Sequence, residues 1–166
     1  MEFVLGAASV RRVGVLRFPV SIVEGEDGHV LARLGRGGWF KVFFGRGRRV
    51  ELPDGTAWRV TATGAGSCIV PMVTCSGGKL AVAAPHGKRS YGINGRAYAY
   101  NIYPASQAGL RRWSLREHET ELGRFGSHSM YASHPIPLAT ALLCFTLIRY
   151  GVPGDADLGV PGFRWG

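Results

Sequence analysis

The residues of this chain that could do acid–base or metal chemistry are concentrated around His118. Glu117 and Glu119 flank this histidine, and Glu121 follows two positions after Glu119. In an extended segment, side chains two positions apart lie on the same face, so we expect the three glutamates on one face and His118 on the other. The pattern therefore favours a solvated turn of an exposed hairpin over a catalytic or metal site.

A second candidate is a nucleophilic arrangement of His128, Ser129 and His134 with Cys144. A cysteine nucleophile needs a lowered pKa and access to solvent, and a serine nucleophile is often held on a sharp strand-to-helix turn beside an orienting acid. No such turn motif or acid is recognisable here. Cys144 lies within an apolar segment, where a buried and unreactive thiol is expected.

Carboxylates are missing from a long central part of the chain. No Asp or Glu occurs between Asp54 and Glu117, which removes many schemes for general-base catalysis and for hard-metal binding. The sequence accordingly predicts no catalytic residue, no metal site and no cofactor, and we expect a protein that is not an enzyme. An enzyme whose site has an unrecognised form is the alternative.

The same acid-free segment is rich in positive charge, and the whole chain has a formal charge of +9. A segment with this bias attracts anions such as phosphate head groups, nucleic acid or an acidic protein. Arg-rich codon usage in a G- and C-rich genome is the other explanation for the excess. The basic residues of the segment are Arg59, Lys79, Lys88, Arg89, Arg96, Arg111, Arg112 and Arg116.

One cluster within this segment is a candidate anion-binding site. Its basic residues are interleaved with Tyr91, Tyr98, Tyr100 and Tyr103, and arginine and aromatic faces together can bind phosphate and stack bases. If the tyrosines instead belong to the core, the basic residues form only a solvated outer face. The candidate anion-binding residues are Lys88, Arg89, Arg96, Arg111, Arg112 and Arg116.

Short strands must position these residues. Turn-forming groups such as Pro53-Asp54-Gly55 and Asn94-Gly95 recur along the chain. A turn about every 8–12 residues is typical of a meandering antiparallel sandwich or barrel. Apolar and polar residues alternate between the turns, as in Trp58 to Thr61, and this pattern predicts roughly ten to twelve half-buried strands.

The segment from Leu138 to Tyr150 breaks the strand pattern. Pro137 precedes it and Gly151 follows it, which is typical of the ends of a helix. No charged residue occurs before Arg149, so the helix is apolar all round and has to be buried. It is shorter than the ~20 residues needed to span a bilayer.

These elements predict a mainly β fold, a closed antiparallel β-barrel around a buried hydrophobic C-terminal α-helix. A closed sheet around the helix is the simplest arrangement that buries it on every side. We expect residues 1–152 to form a single barrel domain that includes the helix 137–150, and residues 153–166 to form a Gly/Pro-rich tail or strap.

A strand meander that ends in one apolar helix resembles the tubby-like superfamily, which includes phospholipid scramblases and the plant LURP-one-related proteins. The resemblance covers about residues 12–152 and is carried by the segment Asp54 to Val60, by the strand Glu121 to Phe125 and by the helix Leu138 to Ile148. It implies a closed barrel that encloses the helix, and binding of phospholipids through Lys and Arg. The metal-binding and palmitoylation features of the scramblases are absent.

The cysteines and the N-terminal segment bear on where the protein works. Cys68, Cys75 and Cys144 leave at least one thiol unpaired and lack the paired spacing of a zinc site, so we expect a reducing compartment. The apolar run Phe3 to Val10 is followed, not preceded, by arginines, unlike a secretory signal peptide. We therefore expect a soluble cytoplasmic protein, peripheral at the membrane, that binds an anionic phospholipid or a protein partner. A nucleic-acid-binding barrel is the alternative.

Overall fold

The computed structural model describes residues 2–13, 20–35, 47–63, 70–86, 90–105 and 112–150, with the backbone alone at 149 and 150. These residues form twelve strands and one helix, α1 (Leu138–Tyr150). The strands are β1 (Phe3–Val13), β2 (Val20–Gly25), β3 (Val30–Leu34), β4 (Arg48–Glu51), β5 (Ala57–Thr63), β6 (Val70–Cys75), β7 (Gly78–Pro85), β8 (Tyr91–Gly95), β9 (Ala99–Pro104), β10 (Trp113–Glu117), β11 (Thr120–Phe125) and β12 (Ser129–Pro137).

The strands form one closed sheet. Each strand pairs antiparallel with its neighbours in sequence, and β1 pairs with β12 to complete the ring. The predicted closed antiparallel barrel with a C-terminal helix is thus confirmed, and the strand number lies within the predicted range. Because each of these strands is paired on both sides, the sheet presents no open edge to another chain.

Local hydrogen bonds explain why the strands end where they do. In the turn between β4 and β5, the carboxylate of Asp54 accepts hydrogen bonds of 2.8 Å from both the backbone N–H and the hydroxyl of Thr56. These bonds lower the pKa of Asp54. Gly55 follows at a φ of 84°, a conformation that only glycine adopts without strain. The sequence Pro53-Asp54-Gly55 is therefore a tight turn, as its composition predicts.

Helix α1 forms the centre of the core. The side chains from Leu138 to Ile148 are all buried, and Leu143 has no exposed surface. Phe145 packs edge-on against Phe125 of β11, with ring centroids 5.7 Å apart. Each large apolar side chain so buried contributes roughly 1.5–3 kcal/mol, so the barrel and its helix stabilise each other. Among the described residues, no helix is long and apolar enough to cross a membrane.

Two hydrogen bonds attach the start of α1 to the wall. Thr140 donates to the hydroxyl of Tyr98 at 2.8 Å, and Tyr98 donates to the carbonyl of Leu80 at 3.3 Å. The ring of Tyr98 lies so close over Gly95 that a Cβ there would be 2.1 Å from it. This polar contact fixes the direction of an otherwise apolar helix inside the barrel.

Replacement of Leu143 by Asp is expected to abolish folding. The carboxylate would be buried without a partner, at a cost comparable to the about 5–15 kcal/mol that keeps a domain folded. Leu5→Asp is the matched control, because Leu5 is 63% exposed and should tolerate the same change. Circular dichroism and thermal melting of both variants measure this, and a Leu143→Asp protein that melts like the unchanged chain would contradict the central position of the helix.

Replacement of Gly123 by Ala is expected to lower the free energy of unfolding by about 1–3 kcal/mol. The new Cβ would lie 2.8 Å from the carbonyl oxygen of Tyr131 and 2.9 Å from Cδ1 of Ile136, and the backbone atom cannot easily move. Gly126→Ala is the control, since the nearest atoms there are 3.6 Å away. Urea denaturation of the two variants compares them, and equal stability would show that strands β11 and β12 do not approach so closely.

Candidate anion-binding surface

The register of four strands places basic residues in a row on the outside of the barrel. Arg49 of β4 is directly opposite Arg59 of β5, Arg59 is opposite Thr74 of β6, and Thr74 is opposite Lys79 of β7. Neighbouring strands are about 4.8 Å apart, so the row extends for about 14 Å. The side chains of Arg49, Arg59 and Lys79 are exposed, and they therefore form a continuous positive surface.

Arg96 extends this row toward β8. It lies in the turn between β8 and β9, where its Nη2 donates a hydrogen bond of 2.5 Å to the carbonyl of Gly77. Gly77 belongs to the turn that leads into Lys79, so Arg96 crosses the barrel surface to the neighbourhood of that lysine. We call Arg49, Arg59, Lys79 and Arg96 the basic band.

The basic band has little negative charge beside it. Within strands β4 to β8, Glu51 is the one acidic residue, and its carboxylate lies 3.1 Å from Nε of Arg49. Both partners are more than half exposed, and an exposed ion pair contributes little to stability. With Asp54 of the turn between β4 and β5, four positive charges thus face two negative charges.

The like charges of the basic band oppose folding. Cations placed directly opposite each other on two strands destabilise a sheet by up to about 1 kcal/mol per pair. Arg49 and Arg59 are such a pair, and nothing in the packing of the core requires either charge. A bound anion would remove this repulsion, since a guanidinium binds phosphate or carboxylate with paired N–H donors.

The residues predicted as the anion-binding site are distributed over several parts of the barrel. Arg96 belongs to the basic band. Arg112 lies at the far end of β9 from Arg96, where its carbonyl accepts a hydrogen bond from Ala105. Arg116 is on β10, and its Nε donates to the hydroxyl of Ser114 at 3.2 Å. The structure brings neither of these two to Arg96, and Lys88, Arg89 and Arg111 lie outside the described residues.

The four tyrosines of the predicted cluster do not form an open stacking surface. Tyr91 is buried and lies beside Trp113, with ring centroids 6.4 Å apart. Tyr98 and Tyr100 are partly buried and stack on each other at 4.7 Å. Tyr103 is 36% exposed. Three of the four rings are thus engaged within the protein, and little aromatic surface is left for bases.

Sequence reasoning missed Arg49 as a member of the basic band. Arg49 precedes the acid-free segment, and its pairing with Arg59 depends on the register of β4 and β5. Alternation in Arg48-Arg49-Val50-Glu51 does place Arg49 and Glu51 on the outer face. That signal identifies the face, but it does not identify the neighbouring strand.

Arg48 points the other way, into the barrel. Its Nε donates to the carbonyl of Gly35 and its Nη2 to the hydroxyl of Ser21, both at 3.0 Å. It lines a cavity of about 20 Å³ beside Leu142 and Phe145 of α1. This volume holds about one water molecule, so the interior has no room for a substrate at this point.

The acid–base candidates around His118 lie in an exposed turn. His118 has a φ of 51° between β10 and β11, and the side chains of His118, Glu117 and Glu119 are exposed. The carboxylate of Glu121 instead accepts hydrogen bonds from Ser114 and Arg124, which lower its pKa. In the described part of the chain, no three His, Cys, Asp or Glu side chains are grouped to hold a metal ion.

The nucleophile candidates are separated by the barrel wall. Cys144 is buried inside the barrel, and burial raises the pKa of its thiol. His128, just before β12, and His134, within it, are exposed and lie six residues apart, which is about 20 Å in an extended strand. Each is hydrogen-bonded to its neighbouring serine, at 2.8 Å for Ser127 and 3.1 Å for Ser133. These groups cannot act on one substrate in this arrangement.

The comparisons with known proteins add no relative. No protein-family model, no curated protein and no solved structure matches the chain. The tubby-like assignment therefore stays a prediction, and the function has to be inferred from the charges and contacts of the chain itself.

The thiol of Cys144 is expected to be unreactive in the folded protein, because it is buried and its pKa is raised. A Cys68→Ser/Cys75→Ser variant should release no thionitrobenzoate from Ellman's reagent until guanidinium is added. The control is a Cys68→Ser/Cys144→Ser variant, whose partly exposed Cys75 should react without denaturant. Rapid reaction of Cys144 in the folded chain would return it to the list of candidate nucleophiles.

Proposed function

We propose that this chain is a non-enzymatic binding domain that attaches to an anionic phospholipid surface through the basic band. The observation that supports this proposal is the row of Arg49, Arg59 and Lys79, which strand register aligns across β4 to β7. Its like charges oppose folding and are balanced by Glu51 alone within these strands. The resemblance to tubby-like barrels, and a cytoplasmic location at the membrane periphery, belong to the same proposal.

The shape of the basic band favours phospholipid head groups as the source of the anions. The outer face of several adjacent strands is a broad surface, and its four cations can contact several head groups at once. Each Lys or Arg near an anionic membrane contributes about 1 kcal/mol. The hydroxyl of Thr74, between Arg59 and Lys79, already donates a hydrogen bond of 3.3 Å to the backbone carbonyl of Arg59, so the cations themselves provide the contacts to the head groups.

Nucleic acid fits the basic band less well. Single-stranded nucleic acid is usually held by aromatic side chains on which bases stack, beside a positive groove. Trp58, the aromatic residue next to Arg59, is packed against the core, and the rings of Tyr98 and Tyr100 stack on each other. Phosphate contacts alone would remain.

A binding role also agrees with the distribution of reactive groups. The candidate nucleophile Cys144 is inside the barrel, whereas His118, His128 and His134 are exposed at separate places on its surface. The four residues of the basic band are hydrogen-bond donors and cations, and the carboxylate of Glu51 beside them is paired with Arg49.

Removal of three charges from the basic band is expected to weaken membrane binding by about 100-fold, at about 1 kcal/mol for each cation. The variant is Arg49→Gln/Arg59→Gln/Lys79→Gln. Co-sedimentation with vesicles of phosphatidylcholine and phosphatidylserine measures the affinity, and vesicles of phosphatidylcholine alone should not bind the unchanged chain. The stability of the variant should be equal or slightly higher, because the repulsion between Arg49 and Arg59 is lost.

The matched control removes the same charge elsewhere. Arg12→Gln/Arg112→Gln/Arg116→Gln changes exposed residues of β1 and β10 and the residue just before β10, including two of the residues predicted from the sequence. It should weaken vesicle binding only a few-fold. Equal weakening by both variants would show that net charge, and not the basic band, drives binding. If the chain binds oligodeoxythymidylate but no vesicles, the nucleic-acid alternative is correct, and if it binds neither, an acidic protein is the remaining anionic surface.

A further inference from the structure

A second surface lies on β1, halfway round the ring from β7. Phe3 and Leu5 are 52% and 63% exposed, and they border a groove that reaches the turn between β2 and β3. The groove has a volume of about 500 Å³, within the range of sites that hold a ligand or a few side chains. A contiguous exposed apolar patch is typical of an interaction surface.

The groove is a built feature of the sheet. The pairing of β1 with β12 shifts between Val4 and Gly6, so that Leu5 is opposite the three residues Ser133 to Pro135. Gly6 has a φ of 77°, and Glu26 covers it so closely that a Cβ there would lie 2.7 Å from the carboxylate. Oε2 of Glu26 also accepts a hydrogen bond of 3.3 Å from the backbone N–H of Ala7. The turn is therefore bound to β1, and this contact fixes the wall of the groove.

The charged residues of the groove are acidic. Glu26 and Asp27 line it, and the described residues that form its walls include no Lys or Arg. The ring of His29 hydrogen-bonds the carboxylate of Asp27. An otherwise basic chain thus carries here an apolar surface edged by carboxylates.

We propose that this groove binds a short segment of a partner protein, with an apolar side chain against Phe3 and Leu5 and an adjacent Lys or Arg against Glu26 and Asp27. The chemistry follows from the two kinds of surface that the groove combines. An anionic membrane would be repelled by the carboxylates. A second copy of this chain is the competing occupant, because Tyr131 is 59% exposed and lies directly opposite Arg124, and the oligomeric state distinguishes the two.

The proposal does not depend on the function of the basic band. Phe3 and Leu5 lie on a different strand from Arg49, Arg59, Lys79 and Arg96, so both surfaces could be occupied at once. In that case the barrel would hold its partner on the side opposite the anionic surface to which it is attached.

Selection of peptides on the whole chain tests the groove. A phage-displayed library of random peptides is selected on the unchanged protein and depleted on a Phe3→Ser/Leu5→Ser variant. We expect the retained peptides to combine large apolar residues with neighbouring Lys or Arg. By fluorescence anisotropy, their affinity should fall at least about tenfold, or about 1.4 kcal/mol, in the Phe3→Ser/Leu5→Ser variant. Asp27→Lys, at a carboxylate that is 72% exposed, should lower the affinity for these peptides more at low salt than at high salt, because the new cation repels their Lys or Arg.

The controls separate this proposal from its alternatives. Both variants should melt like the unchanged chain, and Phe3→Ser/Leu5→Ser, which changes no charge, should bind phosphatidylserine vesicles equally well. Failure to retain any peptide, retention of acidic peptides, or binding that both variants leave unchanged would overturn the proposal. A dimer in sedimentation equilibrium that Phe3→Ser/Leu5→Ser dissociates would overturn it too, because the occupant would then be a second copy.

Discussion

The structure depends on the burial of a helix that is apolar on every side. The segment from Leu138 to Ile148 contains no charged residue, and its side chains are all buried. A helix of this kind must be covered all round, and one sheet can do so only if it closes. The ring of twelve strands, with β1 paired to β12, meets this requirement.

Both proposed binding surfaces lie on the outside of the barrel, because its own helix fills the interior. Where Arg48 reaches the interior beside α1, the space left is about 20 Å³, and among the described residues no His, Asp or Glu is buried with the thiol of Cys144. The inward positions of the strands are used for packing, whereas the outward positions are free to carry charge. Binding by the walls of the barrel is therefore the economical use of this architecture.

The outer wall carries two surfaces of different chemistry. The basic band lies across β4 to β8, and the groove at Phe3 and Leu5 is edged by Glu26 and Asp27. No Asp or Glu occurs between Asp54 and Glu117. The acidic residues of the described strands and turns therefore lie on the part of the ring that runs from β10 through β12 and β1 to the turn between β4 and β5. In a meander, a segment of sequence becomes a sector of the ring, so a bias in the sequence becomes a charged side of the molecule.

The sequence by itself determined the helix, its burial, the closed sheet and the acid-free sector, because periodicity, turn residues and composition are local properties. Only the tertiary structure decided which charges are neighbours. Strand register places Arg49 opposite Arg59 and Lys79 opposite Thr74. The second pairing also depends on a shift in the register of β6 and β7 after Val73. Arg96 and Arg112 belong to the same acid-free segment of the sequence, but they lie at opposite ends of β9. Register is set by long-range pairing and by irregularities of single residues, which no local pattern records.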